Sequence, residues 1–170
     1  MADAGANASA TSVADTAAQS DILLLATPWP STKQILGEAG SLVGKILIDA
    51  TNPLLPDLSG LEVGTTTSAG ELVAQWAPGA KVVKAFNTIG SNVMANPDFN
   101  GQSALLLYCG DDADAKAEVR TLVTQLGFDA HDAGPLRQAR TLEALALLWV
   151  SLAYAQGYGP EFAFRIVHRV

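Results

Sequence analysis

Three apolar runs, DILLLATPWP (21–30), KILIDATNPL (45–54) and KVVKAFNTIG (81–90), each end in a short polar stop. The first is apolar from residue 22 to residue 26, too short for a helix and too uniform for a strand with one wet face. Runs of this kind belong to parallel strands covered by helices on both sides. In an open sheet of such strands the ligand sits beyond the carboxyl ends. Those ends here carry Thr27-Pro28-Trp29, Thr51-Asn52-Pro53 and Asn87-Thr88.

The segments between the runs read as helices. Ser12 is placed to cap a short helix through Gln19, with Asp15 near its first turn. Pro28 and Pro30 stop the first strand, and Ser31 is placed to cap a helix to about Ala39. A polar loop over 51–67 ends at Ser68-Ala-Gly-Glu71, a capping-box spelling ahead of a helix over 72–76. Pro78-Gly79 turns the chain into the strand over 80–86. A further strand over 103–109 leads into a helix over 112–126, where Val119, Leu122, Val123 and Leu126 share one face and Gly127 ends it. Residues 128–131 read as a short last strand. A long helix over 135–156 carries LEALALLWVSLAYA, apolar almost all round, so it is expected to be buried in the domain or against a partner chain. Alternating strands and helices at this spacing predict an α/β, Rossmann-like doubly wound parallel sheet with C-terminal helices. We divide it at residue 135, with a nucleotide-binding part over 1–134 and a helical segment over 135–170.

Composition narrows the function classes. With 49% hydrophobic and 16% charged residues, the chain is a packed globule and not a disordered one. A net charge of −7 with scattered basic residues argues against nucleic acid as partner. The single cysteine, Cys109, lies in an apolar strand and reads as a buried residue. The first residues lack the basic and apolar regions of a signal peptide. The apolar stretch over 144–155 is too short to cross a bilayer, which requires about 18–20 residues. A cytoplasmic location without membrane contact is the expectation.

Familiar catalytic constellations are missing. His131 and His168 have no metal-ligand spacing, and no G-x-S-x-G elbow occurs. Asp111, Asp112 and Asp114 fit the start of a helix better than a metal cluster. Hydride transfer between bound cofactors needs no such constellation, because the cofactors carry the redox chemistry. Asn52 and Asn87 can serve ribose or carboxamide groups as donor and acceptor, or close their strands as Asx-turns. Pro28 and Trp29 offer a flat apolar surface to a nucleotide, or end the strand and pack on the sheet edge. There is no G-x-G-x-x-G loop; Gly157-Tyr158-Gly159 has Phe162 in the third glycine position.

The wording of DILLLATPWP, KILIDATNPL, TSAGELVAQWAPGAKVVKAFNTIG and YCGDDADAK resembles the NADPH-dependent reductases of the deazaflavin coenzyme F-420 (F420). The tail RTLEALALLWVSLAYAQGYGPEFAFRIV is similar to that family's C-terminal helices, and the likeness runs from about residue 6 to 169. The resemblance implies a homodimer that binds NADP(H) and exchanges hydride with the deazaflavin. Thr27, Pro28 and Trp29 would line the nucleotide side, with Asn52, Pro53, Asn87, Thr88 and Ile89 around the nicotinamide and its acceptor. Members of the family open with a strand, the glycine loop, a helix and a second strand. This chain lacks that first βαβ unit, roughly 45–60 residues. Residues 22–25 would then form an unpaired apolar sheet edge. Three readings follow: part of a larger NADPH-dependent oxidoreductase and impaired by itself, a non-catalytic dimerisation or binding module, or half of a split enzyme.

Overall fold

The computed structural model describes residues 7–169. In chain order the elements are α1 (Val13–Gln19), β1 (Ile22–Leu25), α2 (Trp29–Glu38), β2 (Ile46–Asp49), α3 (Ala69–Trp76), β3 (Lys81–Lys84), α4 (Ser91–Ala95), β4 (Leu105–Gly110), α5 (Ala113–Gln125), β5 (Asp129–Asp132) and α6 (Ala139–Val150). A short 3₁₀ turn, Leu136–Gln138, enters α6, and a π-helical turn, Ser151–Ala155, leaves it. The strands form one five-stranded sheet in the order β1-β2-β3-β4-β5.

The fold is Rossmann-like α/β, with one difference in strand direction. β1, β2 and β3 are parallel, as are β4 and β5, but β4 runs antiparallel to β3. The cause is the connection after β3. Between β3 and β4 the chain forms only the five-residue α4 and a small bridge between Asp98 and Ser103. At ~1.5 Å per residue such a helix spans ~8 Å and cannot return the chain to the far end of the sheet. β4 therefore starts near the end where β3 stops, and Lys84 pairs with Cys109.

Helix starts follow their capping residues. The Ser68 hydroxyl accepts from the Glu71 N–H at 3.1 Å and donates to the Glu71 carboxylate at 2.8 Å, so α3 begins one turn earlier than its apolar residues suggest. Ser12 caps α1 in the same way, and the Asp112 carboxylate caps α5 by accepting from the Ala115 N–H. α2 starts at Trp29, ahead of Ser31, because Pro30 suits the first helical turn and needs no N–H donor there. The long C-terminal helix covers its whole apolar run, α-helical over Ala139–Val150 and continued by the π-helical turn, but it is not buried all round: Leu148 and Tyr154 are exposed.

Alternating side chains of the central strands build two cores. Leu47 and Val82 face α1, α2 and α3 together with Leu25, Leu36 and Val73. Ile48 and Val83 face the other way, under α5, with Leu106, Val119 and Val123. The second face is only partly covered. α5 buries Ala115, Val119 and Val123, whereas Leu122 and Leu126 stay 37% and 46% exposed. Across from them Ile22 and Leu24 are 45% and 61% exposed, on a strand paired with β2 alone. These side chains line an apolar trough of about 330 Å³ floored by Ile48 and Phe86. The expectation of strands covered on both faces thus fails at β1, where no helix among the described residues lies over Ile22 and Leu24. The expected open apolar edge is present, but only these two side chains are bare; Leu23 and Leu25 pack under α1 and α2.

Exposed apolar edges promote association. Replacing Ile22 and Leu24 together by lysine is expected to reduce self-association in sedimentation velocity. Stability to urea should change by no more than about 0.5 kcal/mol per site.

Candidate functional site

The register brings the three polar stops side by side. Leu25 pairs with Asp49 and Asp49 with Lys84, so Thr27, Thr51 and Phe86 follow at one level beyond the carboxyl ends of β1, β2 and β3. Two of the stops touch. The Asn52 carboxamide donates to the Asn87 carbonyl at 2.8 Å, and the Asn87 Nδ2 donates to Asn52 Oδ1 at 3.1 Å. The Asn87 Nδ2 also donates to the Leu142 carbonyl of α6 at 3.2 Å. Asn87 Oδ1 is buried and has no hydrogen-bond partner among the described residues. A buried acceptor left unmet costs about 1–3 kcal/mol, so a polar group facing it is strongly favoured.

The segment after β3 is tightly constrained. Phe86 has φ of +65°, a conformation rare for a side chain with a Cβ, and such strain collects at functional sites. A Cβ at Gly90 would fall 2.8 Å from the Trp149 ring, so only glycine lets this loop pass under α6. Thr88 and Ile89 are buried beside it, and Pro53 is buried with its carbonyl accepting from the Glu62 N–H at 2.7 Å.

The first stop stands apart. The Thr27 and Thr32 hydroxyls share a hydrogen bond of 3.2 Å, which ties the end of β1 to α2. Pro28 is exposed. Trp29 is 8% exposed and stacks on Trp76 at a centroid distance of 5.4 Å, so its ring fills the space between α2 and α3.

Beneath the asparagine pair lies a group that the motifs did not reveal. Lys84, Asp49 and Glu143 are all fully buried. The Lys84 ammonium donates to Asp49 at 2.9 Å and to the Thr51 carbonyl at 2.6 Å, and lies 3.0 Å from Glu143 Oε1. Glu143 also accepts from the Ala69 and Gly70 N–H groups at the start of α3, at 2.9 and 3.0 Å. Asp49 Oδ1 accepts from the Thr51 N–H and hydroxyl. Burial pushes the Glu143 carboxyl up, opposed by the Lys84 ammonium and the two backbone donors. Each of these neighbours is a donor, so the arrangement suits the ionised form. One signal was available in the sequence: each of these residues is a charge inside an apolar run (ILID, KVVK and LEALALLWV).

Other candidates resolve into structural roles. Burial pushes the Cys109 thiol up to about 12, which leaves it protonated and unreactive. Asp111 accepts from the Leu136 N–H, and Asp112 caps α5 and pairs with Lys81. Among the described residues no group of His, Cys, Asp and Glu could hold a metal ion, and no helix is long and apolar enough to cross a membrane.

The Rossmann-like α/β sheet thus sets paired carboxamides beyond the carboxyl ends of β2 and β3, where open α/β sheets hold their ligands. A profile described as NADP oxidoreductase coenzyme F420-dependent matches residues 1–53. A crystal structure from Arthrobacter sp. FB24, assigned as an F420-dependent NADP-reductase, superposes with a TM-score of 0.84 at 37% identity, over 92% of this chain and 73% of that one. The F420-dependent NADP reductase of Methanocaldococcus jannaschii is 31% identical over 147 residues, 81% of this chain and 64% of that protein. Rat Metalloreductase STEAP3 is 35% identical over 109 residues, 64% of this chain and only 21% of that protein. The chain belongs to the coenzyme F420-dependent NADP oxidoreductase family.

Two outcomes test the electrostatics. Lys84→Met leaves two buried carboxylates without their cation and is expected to cost about 3–5 kcal/mol in urea unfolding. The second concerns Glu71, whose carboxyl is held below its ordinary value first by the Arg140 guanidinium, at 2.6 and 2.7 Å. A depressed carboxylate contributes stability that is present above the unfolded value and lost as pH falls through the folded one. Arg140→Gln should therefore flatten the acid limb of the stability curve, below the ordinary glutamate value of 4.5, in denaturant titrations across pH.

Proposed function

We propose that this chain carries the nicotinamide side of an NADP(H)-dependent oxidoreductase that exchanges hydride with the deazaflavin coenzyme F-420. The observation that carries this reading is the Asn52–Asn87 pair with the unmet acceptor Asn87 Oδ1. A nicotinamide carboxamide offers the N–H donors that this acceptor lacks. Asn52, Pro53, Asn87, Thr88 and Ile89 would surround the nicotinamide, and Thr27, Pro28 and Trp29 would form the nucleotide flank. When bound, the two cofactors supply the redox chemistry, and the protein orients them and keeps water out.

The phosphate end is a different matter. None of these residues is basic, and the described residues contain no glycine-rich turn leading into a helix N-terminus beside β1. We take a glycine-loop strand and helix, on the same chain or on another, as the element that would complete both the dinucleotide site and the open edge of β1. The relatives leave room for one, since this chain spans 64% of the methanogen reductase. Residues 135–170 would form the dimerisation or acceptor side of a cytoplasmic homodimer.

A second reading is a non-catalytic binding module, supported by the bare trough at Ile22, Leu24, Leu122 and Leu126. The protein purified from its natural host decides between them. If our reading holds, the isolated protein, with whatever segment or partner it carries, oxidises NADPH when coenzyme F-420 is added. A stable dimer with no NADPH binding and no turnover would overturn that reading in favour of the binding module.

A further inference from the structure

The Lys84 cluster and the asparagine pair are joined at two points, each one residue removed from a hydrogen-bonding asparagine or its partner. Lys84 holds the carbonyl of Thr51, the residue before Asn52. Glu143 follows Leu142, whose carbonyl receives the Asn87 Nδ2. Because Asn87 Nδ2 is committed to two acceptors, Asn52 Oδ1 and Leu142 O, its amide cannot turn over without setting Oδ1 against both oxygens. The orphaned acceptor is therefore set by where β2 and α6 stand, and the cluster fixes both. Glu143 ties α6 to the start of α3, while Lys84 ties β3 to the end of β2.

We propose that Lys84 and Glu143 are positioning residues for the strand-end site: through Thr51 and Leu142 they hold the Asn87 carboxamide in the one orientation that presents Oδ1 to a ligand's amide N–H. A salt bridge that only stabilised the fold would not need its ligands adjacent both to Asn52 and to the carbonyl that receives Asn87. The ligand half of this inference rests on the nicotinamide reading above; the positioning half does not.

The test uses the side-chain amide resonance of Asn87 in this ¹⁵N-labelled chain. In the native protein its protons, hydrogen-bonded and buried, are expected to exchange slowly with water. In Glu143→Gln, with the backbone spectrum retained, the rate is expected to rise by about tenfold, the effect of losing roughly one hydrogen bond. Should that variant not fold, Glu143→Asp keeps the charge and withdraws it by one methylene, and a smaller rise in the same rate is expected. A folded variant whose Asn87 exchange is unchanged would overturn the positioning role. For the ligand half, nicotinamide and nicotinic acid are titrated separately into the native chain. Nicotinamide is expected to shift the Asn87 resonance, and nicotinic acid, which has no amide N–H, is expected not to. Equal responses, or none, would overturn the carboxamide assignment and with it the nicotinamide reading, while the exchange rate alone decides the positioning role.

Discussion

A single buried ammonium organises the centre of this protein. Taking Lys84 out of water costs several kcal/mol, a cost offset only when geometry is good and each proton finds an acceptor. Here the three acceptors are a carboxylate of β2, a carbonyl just beyond β2, and a carboxylate of α6. Moving β2 or α6 away from Lys84 would leave Asp49 or Glu143 buried without its cation. The close approach of the helices also depends on it. A Cβ on Gly70 would sit 2.9 Å from the Ala139 side chain, so glycine at that position lets α3 bring its first N–H groups to Glu143.

That constraint passes outward to the strand ends. Once β2, β3 and α6 are fixed, the loop from Phe86 to Gly90 has little freedom, and it takes up the mismatch as a left-handed residue at Phe86. Backbone strain of this kind costs about 1–3 kcal/mol and persists only where the surroundings over-determine it. The surroundings here are the ion cluster below, Trp149 above, and the cross-linked carboxamides at the side. Preorganisation of a hydrogen-bonding group by this means lowers the cost of ordering it when a ligand arrives.

Much of the fold could be read from short runs of residues. The strands were legible because apolar residues bounded by proline, glycine and asparagine admit few alternatives. The start of α1 was legible because Ser12 meets its capping demand within three residues, and Ser68 marked α3 although its apolar residues suggested a start one turn later. The direction of β4 was not, since it follows from the span of the connection and not from any local pattern. Leu122 and Leu126 misled because helical periodicity reports which face is apolar, not whether anything covers it. The ion cluster escaped because its members lie 35 and 59 residues apart along the chain, Asp49 to Lys84 and Lys84 to Glu143. Asn52 and Asn87 stood out as polar stops, but only the register of β2 and β3 puts them in contact.

The two flanks of the strand-end site consequently differ in stiffness, and the difference has a structural origin. Asn52 and Asn87 follow inner strands whose carboxyl halves are buried and crossed by buried charges. Thr27 rests on an edge strand with one bare face and a single hydroxyl contact to α2. Edge strands with few buried contacts open at lower free energy than core strands. A ligand spanning the site would meet a preset surface at one end and, at the other, a surface whose shape depends on what covers Ile22 and Leu24. Any element that pairs with β1 and fills the trough would stiffen Thr27 and the start of α2 together.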